Sequence, residues 1–199
     1  MSDLHIEPRA ITRFDRTPAQ LEAFVLFAYF VAGYESETVA PLLNRWMDRH
    51  IGDGETPFAA IRRLTAAGGL RASLADFGLH GQINRRLIGL PQLAALDAAE
   101  LAAMSPGDMI ATLESVYGIG PKTARFVALH SRPDVRVAVL DRHILRFLER
   151  LGHKVPKKYK TPGKGRPYAR LEVAFLAAAH ERRMTPAALD LSLWAEAAS

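Results

Sequence analysis

Lys122 is the residue whose type is hardest to explain by charge alone. It is the only lysine in residues 1–153, where the other sixteen Lys/Arg positions are all arginine. A chain needing only positive charge at 122 would, by its own habit, use Arg. Arginine cannot shed its proton, whereas a lysine amine can act as a nucleophile and form a Schiff base. Lys122 follows Pro121 at the expected start of a helix, where the N-terminal field disfavours a cation by ~0.3–1 kcal/mol. That field favours the neutral amine. An ordinary phosphate-contacting lysine is the other reading, and residue type alone leaves both open.

Asp141 lies nineteen residues further on, in Val137–Arg146 (VAVLDRHILR). An extended apolar stretch delivers it to the start of a helix expected over Arg142–Leu151. Asp is a favoured N-cap, and Leu140 with Leu145 would form the accompanying hydrophobic staple. Capping and catalysis are compatible here. A capping carboxylate is held ionised and oriented, as stabilising a developing positive charge requires. Zero cysteines exclude disulfides, thiolate zinc sites, iron–sulfur clusters and Cys nucleophiles together.

Between these two residues and the preceding helix stands Leu113–Val127, LESVYGIGPKTARFV. A helix over Pro106–Val116 is expected to end at Tyr117-Gly118-Ile119-Gly120, and a second to begin at Pro121. Two glycines flanking Ile119 allow a tight hairpin with positive φ. Proline suits the first helical position, where its missing N–H costs nothing. The hairpin would present backbone N–H groups at a helix N-terminus, an anion site suited to phosphate. It is not a dinucleotide fingerprint, because no strand precedes it and the third glycine is missing.

The charge distribution points the same way. The 199 residues carry a net charge of +5, split as −3 over residues 1–110 (10 Arg, 13 acids) and +8 over residues 111–199 (10 Arg, 6 Lys, 8 acids). A basic half beside a mildly acidic one is a nucleic-acid footprint, or a solvated basic face. Much of the excess sits in His153–Arg170 (HKVPKKYKTPGKGRPYAR), with seven Lys or Arg, three Pro and two Gly. This reads as a long surface loop. Lys157, Lys158 and Arg166 are its candidate phosphate contacts, with Tyr159 or Tyr168 for stacking. A solubilising connector fits the composition equally well.

The elements that must position these residues are helical almost throughout, and the fold class is all-α. Apolar residues recur at three- and four-residue spacing in Leu21–Ala32, Val39–Met47, Phe58–Leu64, Ile83–Leu90, Leu93–Met104, Met109–Val116, Ala124–Leu129, Ile144–Leu151 and Leu171–Ala179. Gly/Pro breakers separate them. Only Val135–Leu140 looks strand-like, and at that length an extended connection serves as well. The longest apolar run, Ala23–Gly33, has about half the ~20 residues a membrane span needs. It therefore reads as a buried core helix. The N-terminus MSDLHIEPRA has no signal-peptide pattern, and a cytoplasmic location is the expectation.

The hairpin, Lys122 and Asp141 together resemble the helix-hairpin-helix DNA glycosylases, whose Gly/Pro-rich loop is followed by an aspartate. The resemblance is specific across Glu114–Arg150. A lysine at the position of Lys122 marks bifunctional members of that family, such as endonuclease III and the 8-oxoguanine enzymes. The missing cysteines set this chain apart from the iron–sulfur branch, and no segment answers to the additional β domain of the larger enzymes. What remains looks like the compact 8-oxoguanine branch, whose C-terminal helix is similar to Ala188–Trp194 (ALDLSLW).

The resemblance implies two helical lobes with the active-site cleft between them. It divides the chain into an N-terminal segment 1–20, a lobe 21–130 holding the helix-hairpin-helix at 106–130, and a C-terminal lobe 131–199 with Asp141 and the basic loop 153–170. It implies excision of a damaged base, with 8-oxoguanine the leading candidate, from double-stranded DNA. Lys122 would be the nucleophile and Asp141 the stabiliser of the transition state, with an associated abasic-site lyase activity. Gly118, Ile119, Gly120 and Arg125 join Lys157, Lys158 and Arg166 as DNA contacts. The loop Gly78–Gly81 looks like the family's duplex wedge, with Leu79 and His80 its candidates; packing of Leu79 in the core is the competing reading. No metal or organic cofactor is required, although the hairpin admits a monovalent cation. The protein is expected to act as a nucleoid-associated monomer. A monofunctional glycosylase for alkylated or mismatched bases, and a non-catalytic DNA-binding module, are the alternatives.

Overall fold

Thr17-Pro18, Thr56-Pro57, Ser105-Pro106 and Thr185-Pro186 each begin a helix, with the hydroxyl accepting a backbone N–H three residues on. The side chain satisfies one of the helix's orphan donors, and proline at the first position forfeits no hydrogen bond. The computed structural model describes residues 3–197. Its helices are α1 Pro18–Phe30, α2 Ser36–His50, α3 Pro57–Ala66, α4 Leu70–Asp76, α5 Ile83–Ala94, α6 Ala98–Ala103, α7 Pro106–Ser115, α8 Pro121–Ser131, α9 Arg142–Arg150, α10 Arg166–Glu181 and α11 Pro186–Ala197, with short 3-10 turns at Pro8–Ala10 and Lys157–Tyr159. The architecture is all-α, with no strand among the described residues.

The chain forms two compact units, Met1–Ile119 and Gly120–Ser199, so the division falls inside the hairpin connection. In the first unit α1 is the central element. It is buried from Gln20 to Phe30 and packs on α2, α3 and α6. Burial on all sides corrects the one-faced spacing read from sequence over Leu21–Ala32, since the apolar residues of α1 surround the helix instead of gathering on one face. Among the described residues, no helix is long and apolar enough to cross a membrane. The buried Glu22 carboxylate accepts the Phe58 N–H at 2.8 Å, using the start of α3 as its partner.

The apolar segment Leu93–Met104, read from sequence as one element, is divided. Helix α5 continues past Pro91 to Ala94, and α6 restarts after Asp97, whose Oδ1 accepts from Ala99 N (2.8 Å) and Glu100 N (3.0 Å). A helix-capping Asp inside an apolar run is a restart signal that periodicity alone overlooks. The seven-residue α4, bracketed by Gly68-Gly69 and Gly78, is too short to show a period of its own.

In the second unit α9, α10 and α11 enclose a core of Ala138, Leu140, Ile144, Leu145, Phe147, Leu148, Tyr168, Leu171, Phe175 and Leu189, and α8 packs on α11. The segment Val135–Leu140 is an extended connection without a partner strand. It is fastened instead by side chains. Glu172 Oε1 accepts the Ala138 N–H at 3.0 Å, and the Tyr168 hydroxyl donates to Ala138 O (2.7 Å) while accepting from Leu140 N (3.3 Å). Tyr168 is therefore a buried structural residue, 1% exposed, and not a stacking surface. The basic loop is also shorter than its composition suggests, because residues 166–170 form the first turn of α10.

Candidate active site

Among the described residues, helix α8 is one of five helices, with α2, α4, α5 and α10, that no side chain caps. It begins with proline, Pro121, like the four Ser/Thr-capped helices, but its N-cap is Gly120. Its first-turn N–H groups lack the hydroxyl acceptor that serves α1, α3, α7 and α11. A Cβ built on Gly120 would meet nothing within 4 Å, and its φ is −102°. The local fold therefore does not require glycine there. Absence of a cap and open space leave the first-turn N–H groups at the positive end of this 11-residue helix accessible to an acceptor.

Lys122 is the second residue of α8 and is half-buried. Among the described residues its ammonium makes no hydrogen bond or ion pair. Asp141 is the N-cap of α9, 5% exposed, as the sequence anticipates. Its Oδ1 accepts both capping bonds, from His143 N at 2.8 Å and Ile144 N at 2.9 Å. Leu140 and Leu145, the expected staple, both lie in the core cluster. Among the described residues Oδ2 takes no hydrogen bond. One oxygen holds the carboxylate in place, and the other is not engaged in the cap.

Three further residues join this neighbourhood without having been singled out from sequence. Asp190 on α11 is 1% exposed and its Oδ2 accepts from His130 Nε2 on α8 at 3.2 Å; His130 is 0% exposed. Burial pushes the Asp190 carboxyl above the ordinary carboxylate range; the His130 hydrogen bond and charge pull it down, as does the charge of Lys122, while Asp141 pushes it up. His143, in the first turn of α9, lies 5.1 Å ring to ring from Trp194 on α11. Burial holds the His143 imidazole below the ordinary histidine range, against the pull of the Asp141 carboxylate; Arg142 and Arg146 act with burial and Asp190 against it. A lone buried Asp in an apolar helix, Leu189-Asp190-Leu191, was the available sequence signal, since such groups are retained only when paired. Among the described residues no group of three or more His, Asp or Glu is arranged to hold a metal ion.

The basic residues divide into exposed and engaged. Lys157, Lys158 and Arg166 are exposed. Lys158 and Tyr159 both have positive φ, 57° and 49°, which turns the loop sharply at the lysine pair. The Tyr159 hydroxyl bonds Glu149, and its ring lies 5.2 Å from the Arg146 guanidinium. Arg125, expected at a phosphate, is instead turned inward. Its Nε donates to Glu172 Oε1 at 3.0 Å and its guanidinium stacks 4.3 Å from the Tyr168 ring centroid. The reason is Glu172 itself, a largely buried carboxylate that fastens Ala138 and needs a cation.

In the first unit, Gly118 carries φ +95°, and a Cβ there would lie 2.6 Å from Arg85 Nε and 3.0 Å from the Tyr29 hydroxyl. Gly118 is glycine for the fold, unlike Gly120. Its carbonyl accepts from Arg85, the Tyr117 carbonyl accepts from the Tyr29 hydroxyl (3.2 Å), and Val116 O accepts from Ile119 N (3.0 Å). Ile119 is buried at 6% exposure. In the Gly78–Gly81 loop, Leu79 is 2% exposed, whereas His80 is exposed. Leu79 N bonds Leu74 O at 2.8 Å and Gly78 N bonds Ala75 O at 3.0 Å, with Gly78 at φ +73°. This is a Schellman ending of α4, which folds the apolar residue after the glycine back onto the helix. As placed, Leu79 is a core residue, and His80 is the loop's outward position.

No family model matches the chain. Its backbone is similar to the crystal structure of the 8-oxoguanine DNA glycosylase of Thermotoga maritima, with a TM-score of 0.64 at 21% sequence identity. The match covers 94% of this chain and 85% of that one. At that identity the likeness defines the fold, an all-helical arrangement shared with a DNA glycosylase.

Proposed function

We propose that this chain is a DNA repair glycosylase that excises a damaged base, 8-oxoguanine in the leading case, through a lysine Schiff base with associated abasic-site lyase activity. The observation that carries the reading is the pair Lys122 and Asp141. One is a half-buried amine without a hydrogen-bond partner among the described residues, the other a carboxylate capping α9 through Oδ1 alone. Both act through space on Asp190. The likeness to a DNA glycosylase fold supports it.

The damaged nucleotide leaves the stack. The neutral Lys122 amine attacks the sugar C1′, the C1′–N glycosidic bond breaks, and its electron pair departs with the base, which takes up a proton. Asp141 Oδ2 opposes the positive charge that develops on the sugar and accepts the proton the amine gives up. Ring opening leaves a Schiff base between C1′ and Nζ. Loss of a C2′ proton then expels the 3′ phosphate with the C3′–O electron pair, completing β-elimination. The uncapped N-terminus of α8, Gly118-Ile119-Gly120, Lys157, Lys158 and Arg166 hold backbone phosphates, and His80 is the residue offered to the duplex. A monovalent cation at the hairpin would be held by backbone carbonyls of residues 116–118 and would add positive charge beside a phosphate; no step passes through it.

Borohydride trapping on duplexes bearing 8-oxoguanine, oxidised pyrimidine, uracil or alkylated bases tests this. Wild type forms a covalent complex that Lys122→Gln abolishes. Asp141→Asn keeps the fold, because Asn caps a helix as well as Asp, yet loses roughly 10²-fold or more in excision. Full excision by Asp141→Asn would show the mechanism to be wrong. Excision without trapping would make the enzyme monofunctional, and binding without excision on every lesion would leave a DNA-binding module.

A further inference from the structure

Glu172 joins two parts of the second unit through a single oxygen. Its Oε1 accepts the Ala138 N–H at 3.0 Å and the Arg125 Nε–H at 3.0 Å. The Arg125 guanidinium also donates to Pro121 O at 3.4 Å, on the residue that precedes Lys122 in the first turn of α8. From Ala138 onward the chain is held almost peptide by peptide. The Tyr168 hydroxyl donates to Ala138 O (2.7 Å) and accepts from Leu140 N (3.3 Å), and Thr161 Oγ1 donates to Leu140 O at 3.0 Å. The Asp141 N–H then closes on Val139 O at 2.6 Å. Arg125 covers the Tyr168 ring at 4.3 Å, so the two anchors brace each other. Arg125 and Glu172 are largely buried, and Ala138 and Leu140 are fully so. A continuous path of bonded groups runs from the head of α8 to the residue before Asp141.

We infer that Glu172, with Arg125 and Tyr168, is a positioning residue for Asp141: it fastens the segment that carries this carboxylate to the helix turn that carries Lys122. The inference rests on the glycosylase reading for the use of that placement. The capping bonds of Asp141 Oδ1 orient the carboxylate against α9 alone. They do not hold the head of α9 to α8. An extended segment without a partner strand has no ladder to fix it, and its buried peptide groups take their hydrogen bonds from side chains instead. Ala138 N needs only an acceptor, and any buried oxygen would serve. Glu172 shares that acceptor with a cation that reaches back to Pro121, which makes the bonds charge-assisted and carries the tie to α8. Two reacting groups on separate elements need such a tie, because a displacement of about 1 Å can cost on the order of 10²-fold in rate.

The test pairs amide hydrogen exchange of the full-length protein without DNA with single-turnover excision on the lesion duplex that wild type processes. Glu172→Leu removes the shared acceptor, and Glu172→Gln keeps it. A purely local fastening would speed exchange at Ala138 alone. Loss of the Asp141 placement also speeds exchange at His143 and Ile144, whose N–H groups are held by Asp141 Oδ1. Glu172→Leu should show that wider effect and lower the single-turnover rate about tenfold to a hundredfold, with duplex affinity unchanged. Glu172→Gln should restore both readouts toward wild type. If Glu172→Leu does not fold, Tyr168→Phe takes its place; it keeps the ring beneath Arg125 and loses only the hydroxyl, so its local effect is confined to Leu140 N–H. A folded variant with unchanged exchange at His143 and Ile144, or with the wild-type excision rate, overturns the inference and leaves Glu172 a local fastening. If wild type excises no lesion, the glycosylase reading falls, and exchange at His143 and Ile144 still decides whether Glu172 places Asp141.

Discussion

The two glycines of the hairpin are predicted to fail in opposite ways. Gly120→Ser gives α8 the hydroxyl N-cap that this chain uses at Thr17, Thr56, Ser105 and Thr185. At φ −102° and ψ 178°, with nothing within 4 Å of a Cβ, serine enters without strain. The cap itself gains a few tenths of a kcal/mol over glycine. Restricting the unfolded chain adds about 0.4–1 kcal/mol. The sum is a stabilisation of roughly 0.5–1.5 kcal/mol. Binding should respond with the contrary sign. The serine oxygen occupies the N–H groups that a phosphate would use, and forfeiting one hydrogen bond to a charged group costs about 1.5–3 kcal/mol, tenfold or more in DNA affinity. Gly118→Ala is the counterpart. It must hold φ +95° and displace Arg85 from 2.6 Å, so the positive-φ cost of about 1–2 kcal/mol combines with the disturbed Arg85–Gly118 hydrogen bond. A loss of roughly 2–3 kcal/mol is expected. Urea denaturation and fluorescence anisotropy on an undamaged duplex measure the two effects. A Gly120→Ser protein that is more stable and still binds DNA like wild type would refute the assignment of the α8 N-terminus to phosphate. One destabilised as much as Gly118→Ala would refute the structural distinction between the glycines.

Arg125→Ala should cost stability, roughly 1–3 kcal/mol, because it leaves the largely buried Glu172 without its cation; the salt dependence of DNA binding should stay as in wild type. Lys157→Ala with Lys158→Ala should do the reverse, keeping the urea midpoint and reducing the slope of log K against log salt by about 1.8, near 0.9 for each phosphate that is no longer neutralised. Arg183→Gly should stabilise the second unit by roughly 0.5–1 kcal/mol. Arg183 is held at φ 55° in the ending of α10, where its N–H bonds His180 O, and glycine takes that conformation without steric cost. Thermal melting reads the last effect, and a lowered midpoint would show that the Arg183 side chain contributes more than its backbone strain.

Much of the local geometry around the candidate site was legible in the sequence because it depends on local rules. Proline at the head of α8, glycine at Gly118, Asp141 as the cap of α9 and the extended approach to it are all set within a few residues. Leu79 was not: the resemblance offered it as the duplex wedge, and its place in the core follows from the Schellman ending of α4, a helix too short to show a period in the sequence. The departure of Gly120 from the Ser/Thr-Pro habit is written in the chain, once those four helix starts are compared.

The sequence by itself thus determined the candidate residues, Lys122 and Asp141, and the turns and caps beside them, since backbone propensity and capping are short-range. Only the tertiary structure decided which charges are engaged. Arg125 and the loop residues Lys157, Lys158 and Arg166 look alike as letters, yet Arg125 meets Glu172, forty-seven residues away, and is withdrawn. Asp190 and His130 are sixty residues apart and become partners only when α11 packs on α8. Electrostatic pairing is set by distance in space and by burial, and neither is encoded in a local pattern.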